Sequence, residues 1–189
     1  FPTAAGYYSN TRTSLGVVPR MWLWNLRHWD WVATANGALT SPIGNYRSNE
    51  ENMLLLGKKS DLVCAWASQT SGFSAAIGLV PGPSADRVLT NLRNAKGKPT
   101  IWPKEVAREH YRYLAKFGDE GSVIDKALGE GLIFAGESYQ DWWRPNECLS
   151  GDHRENFPGF CGFVDGYPEA GVLWERLGIV ADPDVSFLV

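Results

Sequence analysis

The sequence predicts an α/β fold with a Rossmann-like, mostly parallel sheet, flanking helices and an irregular Trp-rich C-terminal elaboration. Three observations carry that expectation. Helix and strand signals alternate along the chain. A capped helix ending at Gly57 leads directly into the apolar run "DLVCAW" (61–66). That run is continuous rather than alternating, the pattern of a strand covered on both faces.

The elements follow in order. Residues 1–20 are polar, small and punctuated by Gly and Pro, and read as an extended arm. "MWLWNL" (21–26) alternates and predicts a strand, and "DWVAT" (30–34) extends it or forms another. Residues 35–47, with Asn36-Gly37, Pro42 and Gly44, read as a long loop. Ser48 and Glu51 fit a capping box opening a helix over 49–56, and Gly57 suits its end. "SQTSGFSAAIG" (68–78) reads as a small-residue loop. Ser84 as cap and Gly97 as stop bound the next helix. "PTIW" (99–102) is a strand candidate. Residues 103–118 give the clearest helix: Pro103 starts it, and Val106, His110, Tyr113, Leu114 and Phe117 make its apolar stripe. Another helix runs from Asp119 to Leu128, and "GLIFAG" (131–136) reads as a buried strand. Periodicity then vanishes until a helix over 169–177 and a terminal strand, "VSFLV" (185–189). The expected organisation is one domain, 1–189: the arm, an α/β core over 21–136 and the elaboration over 137–189.

Composition narrows the function classes. With 44% apolar and 21% charged residues, the chain has ordinary globular usage. A net charge of -3 argues against a broad nucleic-acid surface without excluding a local patch. No run approaches the ~20 apolar residues of a membrane helix, so no membrane partner is expected. The 9 Trp require a large core, an aromatic binding surface or an interface, since each indole N–H needs a partner when buried. The 3 Cys are an odd number, which slightly favours a cytoplasmic setting. The start at Phe1, without Met, also fits a processed virion or secreted product.

Residues 49–102 resemble the nucleoside 2-deoxyribosyltransferase-like group of Rossmann-type proteins. The matching pieces are "SDLVCAW", "SGFSAAIG" and "KGKPTIW". The resemblance covers about a third of the chain and implies a Rossmann-type sheet and a nucleoside ligand. The family's Glu nucleophile would fall at Ala76, which cannot attack a sugar carbon, so that chemistry is lost or moved. The same region is similar to an uncharacterised bacterial and phage family, through Asn25-Leu26, Ala33-Thr34, Ala38-Leu39 and "VCAW".

Ligands of open α/β sheets bind at the carboxyl ends of strands. That points to Ser68, Gln69, Thr70, Ser71 and Gly72; Asp61, which opens the strand, is a further binding candidate. "GESYQDWWRPNECLSGDHRENFPGFCG" (136–162) supplies Glu137 and Asp141 as catalytic acid/base candidates, Trp142 to stack on a sugar or base, and Arg144 to hold an anion. Its bland alternative is a surface loop anchored by aromatics. Cys148, His153 and Cys161 lack a recognisable zinc spacing; a Cys148–Cys161 disulfide and two separate thiols both stand open. No metal site is expected, because no C-x2-C pair is present, and no cofactor, because the phosphate-loop and dinucleotide signatures are missing; the serine-hydrolase signature is missing too. Two functions follow: a nucleoside, nucleotide or nucleobase-binding protein, either a binder alone or an enzyme acting on an N-glycosidic or related bond, or a non-catalytic structural or adhesive assembly protein, for example of a virus particle, that uses a Trp-rich surface.

Overall fold

The structure is a computed structural model and describes residues 10–13, 16–19, 21–57, 62, 71–100, 102–118, 121–136, 138, 140–151, 155–156, 159 and 161–181. The chain divides into two compact units, 1–83 and 84–189. Helices and small sheets are both present, so the fold is mixed α and β.

The first unit opens with an antiparallel hairpin, β1 (Asn10–Thr13) and β2 (Gly16–Pro19). Met21–His28 forms a helix, α1, where a strand was expected. The reason is local. The His28 Nδ1–H donates to the Trp24 carbonyl at 2.7 Å, and the two rings stack at 4.2 Å. Only helical geometry brings residues four apart into that contact. Leu23 then turns inward, and Arg27 and His28 sit in the last turn, where cations suit the helix dipole.

The expected long loop contains a second hairpin, β3 (Val32–Ala33) and β4 (Leu39–Thr40). Asn36-Gly37 makes its turn: Gly37 has φ 85, and Asn36 Oδ1 accepts the Ala38 amide at 3.1 Å. Helix α2 (Glu50–Leu56) forms as expected, but its cap is Asn49, one residue after Ser48. Asn49 Oδ1 accepts the Asn52 amide at 2.7 Å. "SGFSAAI", read as loop, is helix α3 (Ser71–Ile77). Phe73 and Ile77 are four apart and both pack in the cluster of Val32, Ile77 and Leu79, joined by Leu26 and Trp31. A run so rich in Ser, Gly and Ala hides that two-residue apolar signal.

The second unit holds α4 (Ala85–Lys96), α5 (Lys104–Leu114), α6 (Gly121–Gly129) and α7 (Gly171–Arg176). Helix α4 is bounded as predicted: Ser84 Oγ accepts the Arg87 amide at 3.3 Å, and Gly97 closes it. It buries Ala85, Val88, Leu89 and Leu92, the i, i+3, i+4, i+7 stripe. Helix α5 buries Ala107, His110, Tyr111, Tyr113 and Leu114. Strands β5 (Ile133–Phe134) and β6 (Trp142–Trp143) pair antiparallel, and β7 (Cys148–Leu149) and β8 (Gly162–Phe163) pair parallel.

Among the described residues there are four sheets, each of two strands, and three are antiparallel. They do not make up the mostly parallel sheet that was expected. "GLIFAG" delivers only two strand residues, and these pair with the following Trp142-Trp143 across a short return rather than with a distant parallel strand. Pro99, Thr100 and Trp102 lie outside any strand. The run 61–66 is described only at Leu62, and the strand expected at 185–189 lies outside the described residues.

Candidate functional site

Parallel pairing in the first unit centres on Tyr46, which bridges to Leu62 on one side and Val80 on the other. The Arg47 amide donates to the Val80 carbonyl at 3.1 Å, and the Val80 amide to the Asn45 carbonyl at 2.7 Å. Asn52, on α2, closes the carboxyl ends of two of these segments. Its Nδ2 donates to the Arg47 carbonyl at 2.7 Å and to the Pro81 carbonyl at 3.0 Å. Asn52 is 0% exposed, and among the described residues its Oδ1 accepts no hydrogen bond. A buried acceptor left without a donor costs about 1–3 kcal/mol, so this position invites one.

Helix α3 begins at Ser71, after the Leu62 bridge. Asp61, Ser68 and Gln69 lie outside the described residues, and Ser71 is described for its backbone alone. Ala76, at the position of the resembling family's nucleophile, is in α3; its carbonyl accepts the Arg27 Nε–H at 2.8 Å.

The remaining candidates belong to the second unit, on the β5–β6 hairpin. Glu137 lies outside the described residues. Asp141 organises the hairpin return: its Oδ2 accepts the Ser138 amide at 2.8 Å, and its carbonyl accepts the Ala135 amide at 3.1 Å. Its carboxylate packs against Gly136, where an added Cβ would lie 1.9 Å from Oδ2. Trp142 is half-buried and stacks on Trp102 at 5.5 Å with 28° between planes; Phe134 lies 5.3 Å away. Arg144 is exposed, and its amide donates to Glu147 Oε2 at 2.8 Å. The structure thus brings Asp141, Trp142 and Arg144 onto one hairpin, with Asp141 engaged in holding the turn.

His110 packs its ring edge-on to Trp102 at 4.7 Å and donates from Nδ1 to the Val106 carbonyl at 2.7 Å. It is a buried residue of the α5 stripe, as its position predicts. Two tyrosines with a larger role were not singled out. Tyr111 donates to the Leu132 carbonyl at 2.9 Å and accepts the Phe134 amide at 2.7 Å. Tyr167 donates to the Phe134 carbonyl at 2.8 Å. Burial pushes both phenols above their ordinary range. Tyr111 follows Ala107 by four on α5, so its inward direction was available from helical spacing.

Cys148 and Cys161 are buried free thiols. Cys148 pairs in register with Gly162, and Leu149 with Phe163. Cys161 clusters with Leu149 and Phe163. Cys161 immediately precedes Gly162, the in-register partner of Cys148, and no bridge joins the two thiols. Burial, with the neighbouring Glu147 and Cys161, pushes the Cys148 thiol up to about 12. His153 lies outside the described residues; among those described, no three His, Cys, Asp or Glu residues gather as metal ligands. No described helix is long and apolar enough to cross a membrane.

No protein-family model, curated protein or solved structure matches the chain.

Proposed function

We propose that this protein binds a nucleoside, nucleotide or nucleobase at the carboxyl ends of a Rossmann-like set of parallel segments in the first unit. The observation that carries the reading is the parallel pairing of Leu62, Tyr46 and Val80, tied at its carboxyl side by Asn52. The resemblance of residues 49–102 to nucleoside 2-deoxyribosyltransferase-like proteins supports the ligand class. Asp61, Ser68, Gln69 and Ser71 are the binding residues of this reading. On the second unit, a separate proposal has Glu137 and Asp141 as acid and base for an N-glycosidic or related bond, with Trp142 and Arg144 as ligand contacts.

The test is a thermal-shift panel of nucleosides, nucleotides and simple sugars. A ligand at 100 times its Kd stabilises the folded form by about 2.7 kcal/mol. A shift confined to nucleosides or nucleotides, lost on Ser71→Ala with Gln69→Ala, is expected. A flat panel removes the reading. If binding is seen, unchanged turnover in the Glu137→Gln, Asp141→Asn double variant removes the acid/base roles.

A second reading, non-catalytic assembly, has its own observation. Met21, Trp22, Trp24 and Trp29 are 76%, 38%, 48% and 65% exposed on or next to one short helix.

A further inference from the structure

The chain has ten Asn, and Asn36 alone is followed by Gly. Both residues are exposed, in the turn between β3 and β4. A side chain at position 37 would shield the main-chain nitrogen there. Gly37 carries none, and nothing lies within 4 Å of where its Cβ would be. That nitrogen is tethered to the Asn36 side chain, and its attack on Cγ closes a five-membered ring. Tethering removes most of the entropy cost of bringing the two groups together.

The Asn36 side-chain carbonyl is polarised for such an attack. The Thr34 hydroxyl and the Ala38 amide both donate to Asn36 Oδ1, the amide at 3.1 Å. The hydroxyl also lies 3.0 Å from the Ala38 carbonyl, so its one proton serves two oxygens. Donors on a carbonyl oxygen stabilise the negative charge that develops when a nucleophile adds. One contact opposes the attack: the Gly37 N–H donates to the Thr34 carbonyl at 2.9 Å, and its proton must be given up first. Base takes that proton, so the reaction quickens as pH rises. Asn45 is the contrast. Tyr46 follows it, and its Nδ2, the group that would have to leave, donates to Thr40 Oγ1 at 3.1 Å and to the Ser41 carbonyl at 2.5 Å.

We propose that Asn36-Gly37 is a site of self-modification, at which the chain converts Asn36 to aspartyl and isoaspartyl forms with water as the co-reactant. The Gly37 nitrogen loses its proton to solvent base and bonds to Asn36 Cγ. The Cγ–Nδ2 bond breaks, and Nδ2 takes up a proton and leaves as ammonia. Water then opens the cyclic imide. Opening at Cγ gives Asp; opening at the main-chain carbonyl gives the isoaspartyl link. One water enters, one ammonia leaves, and nothing is oxidised or reduced. The isoaspartyl link adds a carbon to the main chain of the turn that closes the Val32–Thr40 and Ala33–Leu39 pairs. It also disturbs Ala35, whose amide donates to the Leu62 carbonyl at 3.0 Å.

Peptide mapping of the full chain, held in mildly alkaline buffer and sampled over days, tests this. Trypsin cuts after Arg27 and Arg47, so a single peptide, 28–47, carries both Asn36 and Asn45. A parallel sample in denaturant shows how fast the same peptide reacts without its turn. In the folded chain Asn36 should gain the mass difference between hydroxyl and amine, sooner at higher pH, with Asn45 intact when half of Asn36 has converted. Asn36 intact in the folded chain, over a period that converts it in denaturant, overturns the proposal. So does Asn45 keeping pace with Asn36. The isoaspartyl form, once separated, should melt below the parent, while Asn36→Asp, with the same charge and no added carbon, stays near it. An isoaspartyl form that melts with Asn36→Asp overturns the effect on the hairpin.

Discussion

Helices α1 and α5 are both rich in aromatic residues and use them in opposite ways. Helix α5 takes Tyr111 and Tyr113 inward; α1 leaves Trp22 and Trp24 facing water. The difference lies in what meets the polar atoms. Tyr111 reaches a carbonyl and an amide with one hydroxyl, so burying it leaves nothing unsatisfied. Trp31, just beyond α1, shows the same rule for an indole: it is half-buried and its Nε1–H donates to the Leu26 carbonyl at 2.6 Å. Aromatic content alone does not say whether a helix is core or surface; the nearest carbonyl does.

Three measurements press on that comparison. The largest effect belongs to Tyr111→Ala, which removes a fully buried ring and strands the Leu132 carbonyl and the Phe134 amide. Equilibrium denaturation should show a loss of about 3–5 kcal/mol. Tyr111→Phe keeps the ring, so a loss of about 1–3 kcal/mol isolates the hydroxyl. Equal stability of Tyr111→Phe and the parent chain would mean that the two hydrogen bonds contribute nothing net.

A smaller effect is alkaline. Tyr111, Tyr167 and Cys148 are acids whose folded values lie above their ordinary 10.0, 10.0 and 9.0. Above those ordinary values the unfolded chain releases protons that the folded chain retains, so stability falls with pH. The contribution is intact below about pH 9 and is lost as pH rises through the folded values. Melting temperature should decline on that flank, less steeply for Cys148→Ala; a flat profile would contradict the buried, neutral assignment.

The smallest effect is on α1. Trp22→Ala should change monomer stability by no more than about 0.5 kcal/mol, measured where the chain does not associate. A loss on the scale of Tyr111→Ala would show that the face is core after all.

How much of this was readable beforehand divides along the same line. Helices α4 and α5 were legible because each carries an unbroken apolar stripe, and α4 also has a Ser cap. The Asn36-Gly37 turn was visible as a signal, although the two-residue strands around it were not. Helix α1 was misread because M-W-L-W alternates in hydropathy while a His–Trp contact four residues apart decides its period. Helix α3 was missed because only Phe73 and Ile77 carry its packing face. Of the candidate site, Ser71, Asp141, Trp142 and Arg144 were named from residue type and position alone. Asn52 was not, because its role depends on two carbonyls, at Arg47 and Pro81, that only the fold brings together. Asp141 was named for acid/base chemistry, but its part in the hairpin return comes from the Ser138 amide, a contact that composition does not encode.

Phe134 sits at the meeting of the tyrosines. Its amide ends on the Tyr111 hydroxyl and its carbonyl accepts from Tyr167, so neither group relies on its neighbour strand for protection. Fraying of the short β5–β6 pair therefore does not by itself expose that amide to deuterium. It exchanges when α5 carries the Tyr111 hydroxyl away, which makes one backbone proton a clock for the opening of that helix.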